Sequence, residues 1–169
     1  KRQLGLDRQR FVDIEEAREI VGDSAHLAVA REIAERSVTI VRDRHEMLPL
    51  SRLARDTRVL SISLARRADL AAGGAFNAEL RRHFPGLRIE SVNADDVAPD
   101  YSRLLVAADS AAVVLVSSYV SHSWHAATAT APRAFTEFVR ALEARGPRPI
   151  IVALGNPYLL QQIPDASAY

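Results

Sequence analysis

Residues 149–158 read PIIVALGNPY, an apolar run from Pro149 to Leu154 that breaks into Gly155, Asn156, Pro157 and Tyr158. A short apolar run bounded by turn formers fits a strand buried on both faces. When such a strand passes through a turn into a helix, its carboxyl end becomes a ligand-facing edge of an α/β sheet.

The same alternation of strand and helix recurs upstream. TRVLSISL at Thr57–Leu64 alternates apolar and small polar residues, as a strand does, and Leu87–Val92 and Ala111–Ser117 follow as further strands. Ala111–Ser117 is the most apolar of them and is expected at a central position. A first strand is expected at Val38–Val41. Helices are expected from Asp23 or Ser24, either a good N-cap, to about Arg36, then at Ala75–His83, Asp100–Ala108 and Pro132–Arg145. About five strands alternating with helices predict right-handed crossovers and a three-layer α/β/α sandwich with a mainly parallel sheet. Residues 1–22 read as a polar, irregular interdomain linker, and residues 23–169 as the α/β domain.

Composition narrows the function. The 169 residues carry 22 Lys and Arg against 21 Asp and Glu, with no basic block beyond the pairs Arg66–Arg67 and Arg81–Arg82, so nucleic acid is not an expected partner. Cysteine is absent, which removes thiolate nucleophiles and thiolate metal sites. No apolar run approaches the roughly 20 residues that span a bilayer, and no signal-peptide core follows the charged first residues. The chain reads as a piece of a longer protein, with Asp165–Tyr169 ending after a helix and no closing strand.

Several segments, taken in order, resemble a known family. AREIAERSVTIVRDRHEMLPL at Ala30–Leu50 is similar to the opening of the C-terminal domain of family 3 glycoside hydrolases, where a helix, a strand and an LPL turn recur. The likeness continues through Val59–Leu64 and Ala112–Ser117. ALGNPY at Ala153–Tyr158 most resembles the β-N-acetylglucosaminidase branch, and KRQLGLDRQRF at Lys1–Phe11 resembles the segment leaving the catalytic barrel. The resemblance implies a non-catalytic domain of a bacterial-type enzyme that removes terminal N-acetylglucosamine from glycans. It also implies an N-terminal barrel on the same polypeptide as partner, with the nucleophilic Asp and a His–Asp acid/base pair on that barrel. The sequence leaves the compartment open, and the resemblance implies an extracytoplasmic setting such as the periplasm or cell envelope.

Three loops fall at strand carboxyl ends: Ala65–Gly74, Ser117–Ala131 and Gly155–Tyr158. The middle one, SSYVSHSWHAATATA, gathers Tyr119, His122, Trp124 and His125. Aromatic faces stack on sugar CH groups and imidazole nitrogens bond hydroxyls, so these four are candidates for a cleft; Trp124 is equally able to anchor the loop or pack on a neighbouring domain. Asn156 and Tyr158 are candidates on the last loop, where a helix-start role for Asn156 competes with ligand contact. A stand-alone carbohydrate-binding or interaction module using the Tyr119–His125 loop is the competing function. Ser117–Ala131 contains no Asp or Glu, whereas the matching loop of β-glucosidase relatives typically carries the acid/base glutamate. Glycoside hydrolysis ordinarily needs a carboxylate pair, so this loop cannot supply the acid, and the resemblance to the β-N-acetylglucosaminidase branch implies that no catalytic residue lies in this chain.

The remaining constellations read as structural. His83–Gly86 echoes a barrel loop of the same family, KHFPGHG, but Arg82 and Leu87 break the pattern, and Pro and Gly there stop a helix. His45, Glu46 and Asp43 match no standard metal spacing, Gly73–Gly74 lacks a fuller phosphate pattern, Ser61 and Ser63 have no nucleophile elbow, and Asp95–Asp96 suits a turn. No metal or cofactor is expected.

Overall fold

The computed structural model describes residues 2–5, 7, 8, 11–69, 71–96, 99–120, 131–146 and 148–169. These fall into two compact units, Lys1–Thr39 and Ile40–Tyr169.

The first unit holds two helices, α1 (Ile14–Ile20) and α2 (Ser24–Ser37). Each begins on an aspartate. Asp13 Oδ1 accepts hydrogen bonds from the amides of Glu15 and Glu16 at 2.9 and 3.2 Å, and Asp23 Oδ1 accepts from Ala25 at 2.7 Å, satisfying amides that have no partner within the helix. Glu15 and Glu16 in the first turn also suit the positive end of the helix dipole. The expectation of an irregular segment over 1–22 is therefore corrected: it contains α1, whose capping and charge signals accompany Ile14, Ala17 and Ile20 on one helical face. Neither helix buries a residue.

The second unit is built on strands β1 (Val59–Ala65), β2 (Arg88–Asn93), β3 (Val113–Ser118) and β4 (Pro149–Ala153), which form one sheet in the order β2-β1-β3-β4. All three pairings are parallel. Between the strands run α3 (Gly74–His83), α4 (Ser102–Asp109) and α5 (Arg133–Arg145). The sheet is the expected parallel one, with four strands.

Odd and even positions of β1 serve opposite faces, as the period of two requires. Leu60, Ile62 and Leu64 pack with Val114 and Val116 against Leu104 of α4 and Phe135, Phe138, Val139 and Leu142 of α5. Val59, Leu115 and Ile150 pack on the other face with Leu80 of α3, Phe84, and the loop residues Met47, Leu48, Leu50 and Leu53. The result is the three-layer sandwich, with α4 and α5 on one face and α3 plus the 47–53 loop on the other.

The strand expected at Val38–Val41 is not formed. Its β-branched run has only the last residues of the chain to pair with: Val41 and Arg42 amides donate to the Tyr169 carbonyl at 2.9 and 3.1 Å, and Asp43 bridges Ala168. Two residues of pairing do not make a ladder. Asp165–Tyr169 accordingly forms no closing strand, but its last residues are paired at isolated bridges. Ala168 bridges Ile150 of β4, the Ile151 amide donates to the Ala168 carbonyl at 3.0 Å, and Glu143 of α5 accepts from the amide and hydroxyl of Ser167 at 2.6 and 2.7 Å. The turn after β4 leads to a short 3-10 helix, Pro157–Gln161, in place of an α-helix.

Candidate functional site

Strand order dictates where a ligand would meet this sheet. The chain leaves β1 for β2 on one side and then crosses to β3 on the other, so the order reverses between β1 and β3, and the crevice beyond their carboxyl ends is the switch point.

The face of that switch point covered by α3 is polar. Ser61 donates to Asn77 Oδ1 at 2.6 Å, Asn77 Nδ2 donates to Ser63 at 3.4 Å, and the hydroxyls of Ser63 and Ser117 lie 3.1 Å apart. All four side chains are buried. Gly73, at φ +81 before α3, lets the chain approach this cluster; a Cβ there would lie 2.7 Å from Ser63 Oγ. The serines and the asparagine thus satisfy one another, as buried polar groups must. Sequence reasoning placed Ser61 and Ser63 in a strand but did not join them to Asn77 and Ser117; the signal was the row of small polar residues on one face of β1.

The loops rimming this edge are tied down. The Arg67 amide donates to Asp95 at 3.0 Å and its guanidinium meets Asp96 at 3.4 Å, while Asn93 Nδ2 donates to Asp96 at 2.8 Å. Asp95 and Asp96 therefore clasp the β1 and β2 loops, a turn role. The other constellations resolve in the same way. Asp43 accepts from the amides of Met47 and Leu48 at 2.8 and 3.0 Å, and His83 pairs with Glu79 at the end of α3.

Of the candidate cleft residues, Tyr119 directly follows β3, its amide donating to the Leu64 carbonyl at 2.8 Å. Its hydroxyl is buried and meets no hydrogen-bond geometry among the described residues. Burial pushes the phenol up, while the Ser117 side chain and the Gly73 backbone oppose the shift and Asp69 adds to it. Asn156 accepts from the Tyr158 amide at 3.0 Å and caps Pro157–Gln161, so its helix-start role is realised. Tyr158 is 68% exposed. The carboxyl ends of β3 and β4 stand side by side, with the Leu154 amide donating to the Ser118 carbonyl at 2.9 Å, which brings Tyr119 and the Gly155–Tyr158 turn to one edge. The Tyr169 hydroxyl donates to the Pro157 carbonyl at 2.9 Å and braces that turn. His122, Trp124 and His125 lie outside the described residues.

Sheet order and switch point define a doubly wound α/β domain with a buried hydroxyl and amide cluster under α3 and Tyr119 just beyond the carboxyl end of β3. No protein-family model matches the sequence, and no curated protein does. Solved structures share the fold. A fungal multi-domain GH3 β-N-acetylglucosaminidase with a GCN5-related glucosamine N-acetyltransferase region superposes with a TM-score of 0.67 at 21% identity, over 94% of this chain and 16% of that one. β-Glucoside phosphorylase BglX superposes at 0.70 with 18% identity, over 99% of this chain and 30% of that one, and its complex with 2FGlc at 0.71 with 18% identity. The chain thus spans less than a third of each of these larger proteins, and at such identities the likeness is one of fold. Among the described residues, no helix is long and apolar enough to cross a membrane.

Proposed function

We propose that residues 23–169 act as the non-catalytic C-terminal α/β domain of a family 3 glycoside hydrolase of the β-N-acetylglucosaminidase branch, with residues 1–22 leading from its catalytic barrel. The parent, on this reading, removes terminal N-acetylglucosamine from glycans by a retaining mechanism through an aspartate of the barrel. The α/β domain buttresses that barrel and borders its cleft with its carboxyl edge, where Tyr119, Asn156 and Tyr158 stand and to which His122, Trp124 and His125 belong in sequence. An extracytoplasmic bacterial setting accompanies this reading.

The carrying observation is the switch-point crevice, whose buried polar groups bond one another: Ser61 with Asn77 and Ser63 with Ser117. Glycoside hydrolysis ordinarily uses a carboxylate pair flanking the scissile bond. The loop after β3 has none in its sequence, and Asp95 and Asp96 are spent on the Arg67 loop. The fold shared with small parts of much larger GH3 and phosphorylase chains supports the accessory role, and the ALGNPY and LPL segments support the family and branch.

The test is turnover of an aryl N-acetylglucosaminide. The chain alone is expected to show none; turnover by the purified chain that disappears on substituting one of its own carboxylates would overturn the proposal. Titration with N-acetylglucosamine, read from the fluorescence of Trp124, the single tryptophan, separates the competing function: saturable binding by the chain alone marks a carbohydrate-binding module, and a flat response the buttress.

A further inference from the structure

At the amino edge of the sheet, opposite the switch point, a hollow of about 320 Å³ opens beside the starts of β3 and β4. Its floor is apolar, made by Val113 and Ile150 with Met47 and Leu53, and its rim carries His45, Glu46, Arg52 and Arg148. The wall is fixed before any ligand arrives. Asp43 holds the amides of Met47 and Leu48, and the Arg44 amide is pinned to the Ser167 carbonyl at 2.9 Å.

The positive charge on this rim is not neutralised. The side chains of Arg52 and Arg148 make no hydrogen bond or ion pair with any described residue. Among the described residues Glu46 is the one carboxylate on the rim, so with neutral histidine the lining carries a net formal charge of +1, two arginines less one glutamate. A neighbouring hollow of about 330 Å³ shares Leu53 but has its one arginine engaged, Arg55 donating to the Arg82 carbonyl at 3.3 Å. Of the two, only the first hollow joins an apolar floor to free guanidinium groups, the groups best suited to grip a carboxylate or phosphate. Its size falls at the small end of ligand pockets, which run from roughly 300 Å³.

We infer that the hollow between the 45–53 loop and the starts of β3 and β4 is a binding site for a small organic anion, a carboxylate or phosphate on an apolar body, with Arg52 and Arg148 holding the charge. The site is independent of the role proposed for the carboxyl edge. Phenyl phosphate and benzoate supply the two charge groups on the same apolar ring, and benzyl alcohol supplies the ring without charge. Titrated into the ¹⁵N-labelled chain, at least one anion is expected to shift the amides of Met47, Val113 and Ile150 saturably, and which one does so identifies the charged group. The neutral alcohol is expected to bind at least about tenfold more weakly, and Arg52→Gln or Arg148→Gln to weaken the anion by about tenfold, in line with the strength of charge-assisted hydrogen bonds. Both arginines are exposed, so their variants keep the wild-type fold, and Arg55→Gln in the neighbouring hollow leaves affinity unchanged. Absence of saturable shifts with both anions, equal binding of the alcohol, or wild-type affinity in both arginine variants overturns the inference.

Discussion

The α-carbon of Gly73 abuts the hydroxyl of Ser63, so that a Cβ added to the glycine would lie 2.7 Å from Ser63 Oγ and 3.1 Å from Asn77 Nδ2. Gly73 also sits at φ +81, a conformation that costs an L-residue roughly 1–2 kcal/mol. Gly73→Ala therefore carries both backbone strain and a collision with a buried polar cluster. In a Ser63→Gly background both Ser63 contacts are removed, and the same glycine change keeps the strain while losing most of the collision. Urea unfolding is expected to show Gly73→Ala costing at least about 1 kcal/mol more in the wild-type background than in Ser63→Gly, the excess arising from overpacking. Equal losses would mean that the approach of Gly73 to Ser63 has no energetic consequence.

The hydroxyl and amide cluster is predicted to behave as a unit. Ser61→Ala leaves Asn77 Oδ1 buried without its donor at 2.6 Å, and an unpaired buried acceptor costs about 1–3 kcal/mol. Removing both partners with apolar groups of similar shape avoids that penalty. In a double-mutant cycle, Ser61→Ala with Asn77→Leu is expected to lose less than the sum of the single changes. Strict additivity would show that the bond contributes nothing beyond its separate parts.

The carboxyl-edge architecture was largely legible in the sequence, and the reasons are local. The apolar runs at 59–64, 113–117 and 149–153 have no competing period, and Pro157 after Asn156 predicts the capped turn that forms. What escaped depends on partners distant in the chain or on polar signals. IEEAREI at 14–20 spans two turns, and its short apolar face of Ile14, Ala17 and Ile20 with the Asp13 cap is too brief a signal to separate α1 from a linker. Val38–Val41 has the composition of a strand, yet its pairing is decided by Tyr169, and no local pattern specifies a partner so remote. The polar cluster needs the β1–β3 register, Ser63 opposite Ser117, which emerges only when the sheet is assembled. The rim of Arg52 and Arg148 likewise unites residues far apart in the chain.

Glu90 on β2 predicts an acid sensitivity. Burial raises its carboxyl, but hydrogen bonds from Arg103 at 2.7 Å and Arg88 at 2.9 Å outweigh burial and hold it below the usual glutamate range. A carboxylate depressed in the folded state contributes stability that is fully present above its unfolded value, about 4.3, and is lost as pH falls through the lower folded value. Unfolding free energy measured from pH 6 down to pH 3 is expected to fall less steeply in Glu90→Gln than in wild type. Parallel profiles would show that the two arginines give Glu90 no linkage to folding.

The end of the chain is predicted to be part of the fold. Ser167 is held by Glu143 through two bonds, Ala168 is fully buried, and the Tyr169 carbonyl receives the amides of Val41 and Arg42. A hydrogen bond to a charged group contributes about 1.5–3 kcal/mol, so Glu143→Ala should loosen the segment measurably without unfolding the sheet. Hydrogen exchange is expected to accelerate at Val41, Arg42, Arg44 and Ile151, whose amides donate to residues 167–169, while amides at the centre of β1 keep their protection. Deleting residues 167–169 should extend that acceleration and expose the Ile150 side of the core. If those four amides exchange in the variant as they do in wild type, the terminal residues merely rest on β4 and the Glu143 clasp is not what holds them there.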